Sequence, residues 1–506
     1  MNSEQEKRTV ETVSSGTGPK MPRFMLDRDH IFYSKAFRRL AGKAQVYITG
    51  EDENKRTRLT HTLEVSQIAR SIAQALELDV DLVEAIALGH DLGHTPFGHA
   101  GERILHEIMT VQDDHPLGMP CPLDKANYKD AFQSYLGFKH NLQSIVVAMQ
   151  LEKNYENRGL NLTKYTLYGI QAHSGSQYKE GKVSNHNQLG FYDAYLKKGC
   201  ELEEGGPAWS LEALLVAQAD EIAQWHHDME DALLGGLITP RELAELMRPI
   251  LTSAGSAGTI TGEEEEICRN PERYDLGVFT SVFCRIIVRV LMTRLVEISY
   301  KKIHEIREPD EVSVPGNVPG ANSKIAHVFR HDHSPEDKTI RELFSYEVPG
   351  ENVDHKSFAD AVKEFSDEIM PRVLSSHEIQ MNDARGQRII RKLFQAYYAN
   401  PQQLPDSCVF EFLSEYHKLK QDANLSELFR NRETDKKYID IASEKQLREQ
   451  ALSKGVGSVR RIFSKLFSDR RERGVMEELL LMRTICNHIA CMTDSEAKKT
   501  YEALYG

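Results

Sequence analysis

The side chains that could carry out chemistry are concentrated in three short segments of the chain. They include His61, the adjacent pair His90 and Asp91, and Asp220. Imidazole and carboxylate groups suit Mg²⁺, Mn²⁺, Fe²⁺ or Zn²⁺, and two of each leave coordination positions open for water and phosphate oxygens. The set therefore predicts an open divalent-metal site of the kind that metal-assisted hydrolysis requires.

The stretch GHDLGHTPFGH, residues 89–99, decides between a ligand set and ordinary buried polar residues. An isolated His or Asp on a helix is more often a cap or a hydrogen-bonded core residue than a ligand. Here three histidines and an aspartate lie close together, interrupted by Gly and Pro, which expose backbone at a helix end. Because neighbouring helical residues point about 100° apart, ligands from other helices must complete the site.

Helices are expected to position these residues, because apolar residues recur three to four positions apart along the chain. Such stripes cover residues 65–76, 82–88, 145–151, 211–222, 278–298, 389–398 and 476–492. For the second stripe, Asp81 and Glu84 predict a capping-box start. Alternating, strand-like patterns are scarce, so we predict an all-α fold.

Composition narrows the class of protein further. The 506 residues are 40% hydrophobic, and a net charge of -13 with a pI near 5.9 argues against a protein whose whole surface is built to bind nucleic acid. The seven cysteines are scattered and include no CxxC pair, which is typical of reduced thiols in a cytosol. The polar N-terminus has no apolar targeting segment, and no run of 18 apolar residues occurs. We predict a cytoplasmic protein that does not bind membranes.

The order of His61, His90 with Asp91, and Asp220 resembles the HD superfamily of phosphohydrolases. The segments RTRLTHTLEV and ALGHDLGHTPFGHAGE narrow the resemblance to deoxyguanosinetriphosphate triphosphohydrolases, and FRRLAGKAQVY, GFKHNLQS, GLNLT and CNHIACMTD extend it over nearly the whole chain. The four ligand residues alone would identify only the superfamily, which also includes cyclic-nucleotide phosphodiesterases, nucleotidases and alarmone hydrolases.

Composition and the resemblance together predict a domain organisation and a metal. Residues 1–24 would be a flexible leader, and 25–250 would form the HD phosphohydrolase core. Residues 251–506 would be a helical region that completes the same body, with a loop-rich insertion at about 305–352. His61, His90, Asp91 and Asp220 would hold the metal, Mg²⁺ or Mn²⁺, with Fe²⁺, Co²⁺ or Zn²⁺ as alternatives.

The resemblance also implies catalytic groups. His99 and Glu102 match the family's catalytic histidine and its carboxylate partner, and a spacing of three lets Glu102 orient the His99 ring. His99 would either protonate the leaving 5′ oxygen or prepare the water. His94 matches a histidine that faces the α-phosphate, and its alternative is a supporting hydrogen-bond role.

Further matches concern substrate binding. Arg58 matches a phosphate-binding arginine that can hold oxygens bidentately, with a surface arginine as the alternative. Gln45 and Val46 match positions against the nucleoside, and His140 matches a further pocket position. Asp228 matches the residue that accepts a hydrogen bond from the sugar 3′-hydroxyl.

Three positions depart from the family pattern. Relatives usually have Tyr where this chain has Gln224, and that ring closes the space that a ribose 2′-hydroxyl would need. Ala172 and Glu221 stand where many relatives have Lys. We therefore expect weaker discrimination between deoxyribose and ribose and weaker ground-state binding of phosphate, unless Lys164, Arg158 or another chain supplies charge.

The function implied is hydrolysis of dGTP or another dNTP to a deoxynucleoside and triphosphate. The alternatives are an HD phosphohydrolase acting on nucleoside monophosphates or another phosphoester, or a nucleotide-responsive regulatory protein with weak turnover. The family commonly forms homo-oligomers, including hexamers, with nucleotide activation. The basic segment 454–473 could bind an allosteric nucleotide, single-stranded nucleic acid or a neighbouring subunit, and its alternative is a helix that buries an apolar face.

Overall fold

The described part of this computed structural model is almost entirely helical. It consists of residues 21–45, 56–110, 137–152, 159–173, 178–179, 182–183, 190–201, 207–252, 260–306, 342–346, 358–421, 444–467 and 475–506. Its strands are one antiparallel pair of two residues each, Tyr178–Lys179 and Lys182–Val183, in which Tyr178 is opposite Val183. The prediction of an all-α fold is confirmed.

The helices of the N-terminal half carry or flank all the site residues that the sequence singled out in the described part. They are α1 (Arg23–Phe32), α2 (Lys35–Arg39), α3 (Arg58–Ala75), α4 (Val80–Gly89), α5 (Gly98–Ile108), α6 (His140–Val146, continued by a π-helical turn, Val147–Leu151), α7 (Lys164–Ala172), α8 (Asp193–Cys200), α9 (Leu211–Leu234) and α10 (Pro240–Thr252).

The helices that follow are α11 (Gly262–Arg269), α12 (Leu276–Ile306), α13 (Phe358–Leu374), α14 (His377–Ala399), α15 (Asp406–Gln421), α16 (Glu444–Lys454), α17 (Val456–Leu466), α18 (Val475–Ala490) and α19 (Asp494–Tyr505). Short 3₁₀ turns lie at Leu40–Gly42, Gly190–Tyr192, Pro271–Arg273 and Pro401–Gln403.

Two hydrophobic clusters hold these helices together. The first is built mainly from α1, α3, α4, α7, α9, α10, α12 and α13, and the second from α5, α14, α15, α17 and α18. Within the first cluster, α3 packs against α4 and α9, and α4 packs against α1 and α7. Helix α5 packs against α14. The C-terminal helices therefore support the helix that carries His99 and Glu102, although the proposed domain boundaries themselves stay a prediction.

Side-chain caps fix where the site helices begin. Thr57 caps α3 in a capping box with Thr60, and Ser210 caps α9 by accepting from the backbone of Ala213. Helix α4 is capped by Asp79, whose carboxylate accepts from the Leu82 amide at 3.0 Å. The capping box predicted at Asp81 was therefore wrong, because the helix begins two residues earlier than the apolar stripe indicated.

One helix of the described part, α12, is long and apolar enough by length and composition to cross a membrane between Leu276 and Ile303. This is a weak indication, because the core helix of a folded domain passes the same test. Helix α12 packs against α9, α10 and α11 and fully buries Phe279, Phe283 and Ile286.

The described part of the basic segment, residues 454–467, is built into the second cluster. Helix α17 buries Val459 and Phe463 completely. Arg460 donates to Asp406 Oδ1 at 2.5 Å and to the backbone carbonyl of Leu404 at 2.8 Å. These contacts favour the structural alternative for this helix, and binding of nucleotide or nucleic acid stays a prediction. Residues 468–473 lie outside the described residues.

Candidate functional site

The residues predicted as metal ligands come together from three elements. His61 lies on α3, His90 and Asp91 follow the end of α4, and Asp220 lies on α9. Asp220 Oδ1 is 2.9 Å from His61 Nε2 and 3.8 Å from His90 Nε2. Asp91 Oδ1 is 3.4 Å from His90 Nε2. The ligand atoms of His61, His90 and Asp220 thus lie within 4.8 Å of one another, and Asp91 contacts this group through His90.

These donors fit a divalent metal. His90 Nδ1 donates to the carbonyl of Ala87 at 2.7 Å, so Nε2 carries the free lone pair. That nitrogen is buried and has no hydrogen-bond partner among the described residues. Ligand atoms that each lie about 2.0 to 2.2 Å from one ion must be about 3 Å apart, close to the separations observed. A bound ion would satisfy this unpaired nitrogen.

Both carboxylates are held in the ionised form that a ligand needs. Burial alone would raise the pKa of Asp220, but the hydrogen bond from His61 and the nearby His90 hold it well below its usual range. Burial likewise opposes ionisation of Asp91, and the surrounding His90, His94 and Arg58 outweigh it, so its pKa is also lowered.

The turn after α4 is pinned to α6. Ser144 Oγ donates to the carbonyl of His90 at 2.8 Å and accepts from the amide of Gly93 at 2.8 Å. A Cβ at Gly93 would lie 2.2 Å from the Ser144 backbone nitrogen, so only glycine allows this approach. The glycine and the serine together fix the orientation of the His90–Asp91 pair.

Arg58 joins the ligand cluster to a position suited to phosphate. Its Nη1 donates to Asp91 Oδ2 at 2.8 Å, and both side chains are buried. The remaining donors, Nε and Nη2, are buried without a partner among the described residues. Arg58 is therefore a buried residue with spare donors and not the surface arginine of the alternative.

Glu102 is the centre of a second group of polar side chains. Its Oε2 accepts from His140 Nδ1 at 2.5 Å and lies 3.5 Å from His99 Nδ1, while Oε1 accepts from Lys139 Nζ at 2.8 Å. The His94 ring stacks on the His140 ring, with the ring centroids 3.9 Å apart. Burial opposes ionisation of Glu102, but His140, His99 and Lys139 hold its pKa well below its usual range. Glu102 therefore contacts His99, as expected, but its contact with His140 is the shorter of the two.

The residues matched to the nucleoside form a chain of hydrogen bonds. Gln45 Nε2 donates to Gln224 Oε1 at 3.2 Å, and Gln224 Nε2 donates to Asp228 Oδ1 at 2.8 Å. The other carboxylate oxygen of Asp228 is buried and has no partner among the described residues. Burial raises the pKa of Asp228 to about 7. Val46 lies outside the described residues.

Sequence reasoning missed two members of this site, His173 and Lys139. His173 is buried at the end of α7, and its ring centroid lies 4.9 Å from that of His90 and 5.6 Å from that of His140. Burial lowers the pKa of His173 to about 3, so the ring is neutral. The segment GIQAHS contains this histidine, but the comparison with the family pattern singled out only Ala172 in it. Lys139 directly precedes His140 in GFKHN.

The structure locates Glu221, one of the two charge changes, and Lys164, one of the expected substitute cations. Glu221 accepts a hydrogen bond from Gln218 at 3.0 Å on the exposed side of α9. Lys164, named as a substitute cation, donates to the carbonyl of Glu201 at 2.5 Å and is therefore engaged away from the ligand cluster. Arg158 lies outside the described residues. Lys139, which donates to Glu102, is a cation beside the site that the sequence did not indicate.

The start of the C-terminal helix α19 is bonded to both sides of the site. Asp494 accepts from the Phe97 amide at 2.9 Å and from the Ala44 amide at 3.0 Å. Phe97 has a φ of 61° and immediately precedes α5. Buried Lys43 donates to the carbonyls of His94 and Ala490. These bonds explain why CNHIACMTD belongs with the site despite its distance in sequence.

Comparison with known proteins agrees with this geometry. Residues 58–225 match the HD domain, and residues 355–424 match the phosphohydrolase-associated domain. The relatives are named deoxyguanosinetriphosphate triphosphohydrolase-like proteins. One from Bordetella pertussis is 33% identical over 76% of this chain and 80% of its own length. One from Caulobacter sp. strain K31 is 42% identical over 46% of this chain and 53% of its own length.

A third relative, from Caulobacter vibrioides, is 44% identical over 46% of this chain and 53% of its own length. The chain thus spans about half the length of the Caulobacter relatives that it matches, and most of the Bordetella relative. On these matches, the chain belongs to the HD-domain family of deoxyguanosinetriphosphate triphosphohydrolase-like proteins.

Proposed function

We propose that this protein is a metal-dependent dNTP triphosphohydrolase that converts dGTP or another dNTP to a deoxynucleoside and inorganic triphosphate. The observation that carries the proposal is the contact between the two polar groups of the site. Asp91 contacts His90 in the ligand cluster, and its Oδ1 lies 3.3 Å from Nε2 of His94. The His94 ring in turn stacks on the ring of His140, which belongs to the group around Glu102. The proposed metal position therefore lies directly beside the proposed proton-transfer group.

The metal would be held by His61, His90, Asp91 and Asp220. When bound, a divalent ion, which we propose to be Mg²⁺ or Mn²⁺, supplies charge neutralisation at phosphorus and lowers the pKa of water. Arg58 would bind a non-bridging phosphate oxygen through Nη2, because that donor is buried and unpaired.

The proton would be handled by His99. Its Nδ1 faces Glu102, so its Nε2 is the atom available to substrate. In the overall reaction, water oxygen bonds to the α-phosphorus, the bond from that phosphorus to the 5′ oxygen breaks, and the 5′ oxygen gains a proton. Glu102 fixes the ring of His99 and stabilises its imidazolium form, which is the task of the carboxylate in such a pair.

We also propose, for this chain, the other properties that the family resemblance implies. Asp228 would accept the hydrogen bond of the sugar 3′-hydroxyl, and Gln45 and Val46 would lie against the nucleoside. Homo-oligomer formation and a cytoplasmic location also stay predictions.

The test is product identification. The full chain is incubated with Mn²⁺ and each dNTP or NTP, and the products are separated by anion exchange, with Asp91→Ala as the control for contaminating phosphatases. Triphosphate release by the wild type alone is expected. Release of phosphate or diphosphate, or cleavage of monophosphates only, would favour another phosphohydrolase activity. Tight nucleotide binding without turnover would favour a regulatory protein.

A further inference from the structure

We propose that Glu64, His226 and His227 form a second metal site, suited to Zn²⁺ and similar transition-metal ions. Glu64 lies on α3, one turn after His61, and the two histidines lie on α9 between Asp220 and Asp228. None of these three residues belongs to the ligand set described above.

The three ligand atoms converge on one point. Glu64 Oε2 lies 2.6 Å from His227 Nε2 and 3.3 Å from His226 Nδ1, and all three atoms lie within 4.8 Å of one another. Zinc with bonds of about 2.0 to 2.2 Å to nitrogen and oxygen needs ligand atoms about 3.3 Å apart. Binding would replace the hydrogen bond between Glu64 and His227: the ring proton of His227 would reside on Nδ1, and small side-chain rotations would widen the shorter contact to that distance.

The surroundings leave the three ligand atoms accessible to a cation. His227 is fully buried, whereas the side chains of Glu64 and His226 are 33% and 24% exposed, which leaves a route for the ion and room for bound water. Arg56 contacts the other oxygen of Glu64, Oε1, at 3.5 Å and also pairs with Glu230. The oxygen that faces both histidines is therefore not occupied by the arginine.

The donor set distinguishes this site from the first one. Two imidazoles and one carboxylate suit Zn²⁺, Co²⁺ or Ni²⁺ and bind Mg²⁺ poorly, because Mg²⁺ prefers oxygen ligands. The His227 ring contacts the His61 ring edge to face, with centroids 5.0 Å apart. An ion bound here would join α3 to α9 directly beside the first metal position, and it would stabilise the folded state by linkage.

The experiment counts ions on metal-stripped full-length protein after equilibration with Zn²⁺ and dialysis. His226→Ala and Glu64→Gln should each bind one ion per chain fewer than the wild type, whatever the occupancy of the first site. His377→Ala is the matched control, because it removes an exposed histidine at the start of α14 and should not change the count. Asp91→Ala should lose an ion from the first site and keep the second.

A second readout is the melting temperature in Zn²⁺ compared with Mg²⁺. The wild type and His377→Ala should gain stability specifically from Zn²⁺, and this gain should shrink in His226→Ala. Folding of each variant is checked by circular dichroism. If only one of Glu64→Gln and His226→Ala folds, that variant alone is sufficient for comparison with the wild type. The same ion count in the wild type and in a folded variant would overturn the proposal. That result would leave the proposed function standing, because triphosphate release is measured separately.

Discussion

Replacing Asp228 by Asn should make the protein more stable at alkaline pH and less active. Asp228 is 1% exposed, and one of its carboxylate oxygens has no partner among the described residues. Burial raises the pKa of Asp228 from 3.8 to about 7. The folded state therefore favours the neutral acid, and at pH 8 it must hold a buried charge that asparagine would not carry.

The sign and size of the effect follow from this pKa. Because the folded pKa is raised, the stability contribution of Asp228 is complete below about pH 4 and is lost as the pH rises to about 7. At about 1.4 kcal/mol per tenfold change in proton affinity, the loss has an upper bound of about 4 kcal/mol. Asparagine mimics the neutral acid, so its advantage should grow by roughly 1–3 kcal/mol between pH 5 and pH 8. With roughly 2 cal/mol/K of unfolding entropy per residue, this is about 1–3 °C in melting temperature.

The assay is thermal unfolding of wild type, Asp228→Asn and Asp367→Asn at several pH values between 5 and 8.5. Asp367 is an exposed aspartate on α13 and serves as the control. The kcat/KM of Asp228→Asn for dNTP should fall roughly ten- to a hundredfold, because a hydrogen bond to a charged acceptor contributes about 1.5–3 kcal/mol. An Asn variant that is less stable at every pH, or whose difference from wild type does not change with pH, would refute the reasoning.

Four further predictions follow from the site. His61→Ala and Asp91→Ala should each lose bound metal and turnover at unchanged helicity, and full metal occupancy with normal activity would contradict the ligand assignment. His99→Ala should retain metal and lose turnover by roughly two to four orders of magnitude, and loss of metal instead would make His99 a ligand. Gln224→Tyr should raise the ratio of kcat/KM for dGTP over GTP, because a rigid ring replaces a flexible amide; an unchanged ratio would mean that another residue guards the 2′ position. Asp494→Ala should lower both the melting temperature and kcat, because two backbone amides beside the site lose their acceptor, with Asp494→Asn less severe; wild-type values for both would show that the bonds are dispensable.

The helices were predictable where a long apolar stripe packs against the core. The stripe at 211–222 lies within α9, that at 278–298 within α12 and that at 389–398 within α14. Their ends were not predictable to the residue, because an end depends on which side chain caps the first turn. Asp79, outside the stripe of α4, is the example.

The candidate metal ligands could be named from residue types and spacing, and the other candidate residues from the family resemblance, but the pairing of these side chains with one another could not be predicted. His99 and Glu102 are neighbours on one helix, so their contact followed from helical geometry. The shorter bond of Glu102 to His140 depends on how α5 packs against α6, which no local pattern encodes. His173 was missed for the same reason, since it reaches the cluster only through the packing of α7 on α4.

The charges of the site explain why metal and substrate should bind together. Three carboxylates of the site are ionised, those of Asp91, Asp220 and Glu102. Two cations are bonded to them among the described side chains: Arg58 to Asp91, and Lys139 to Glu102. Without an ion this environment is net negative and opposes a triphosphate. A divalent ion reverses the sign at the same position. We therefore expect nucleotide affinity to depend strongly on the metal, and we expect the absence of a lysine at Ala172 to strengthen that dependence.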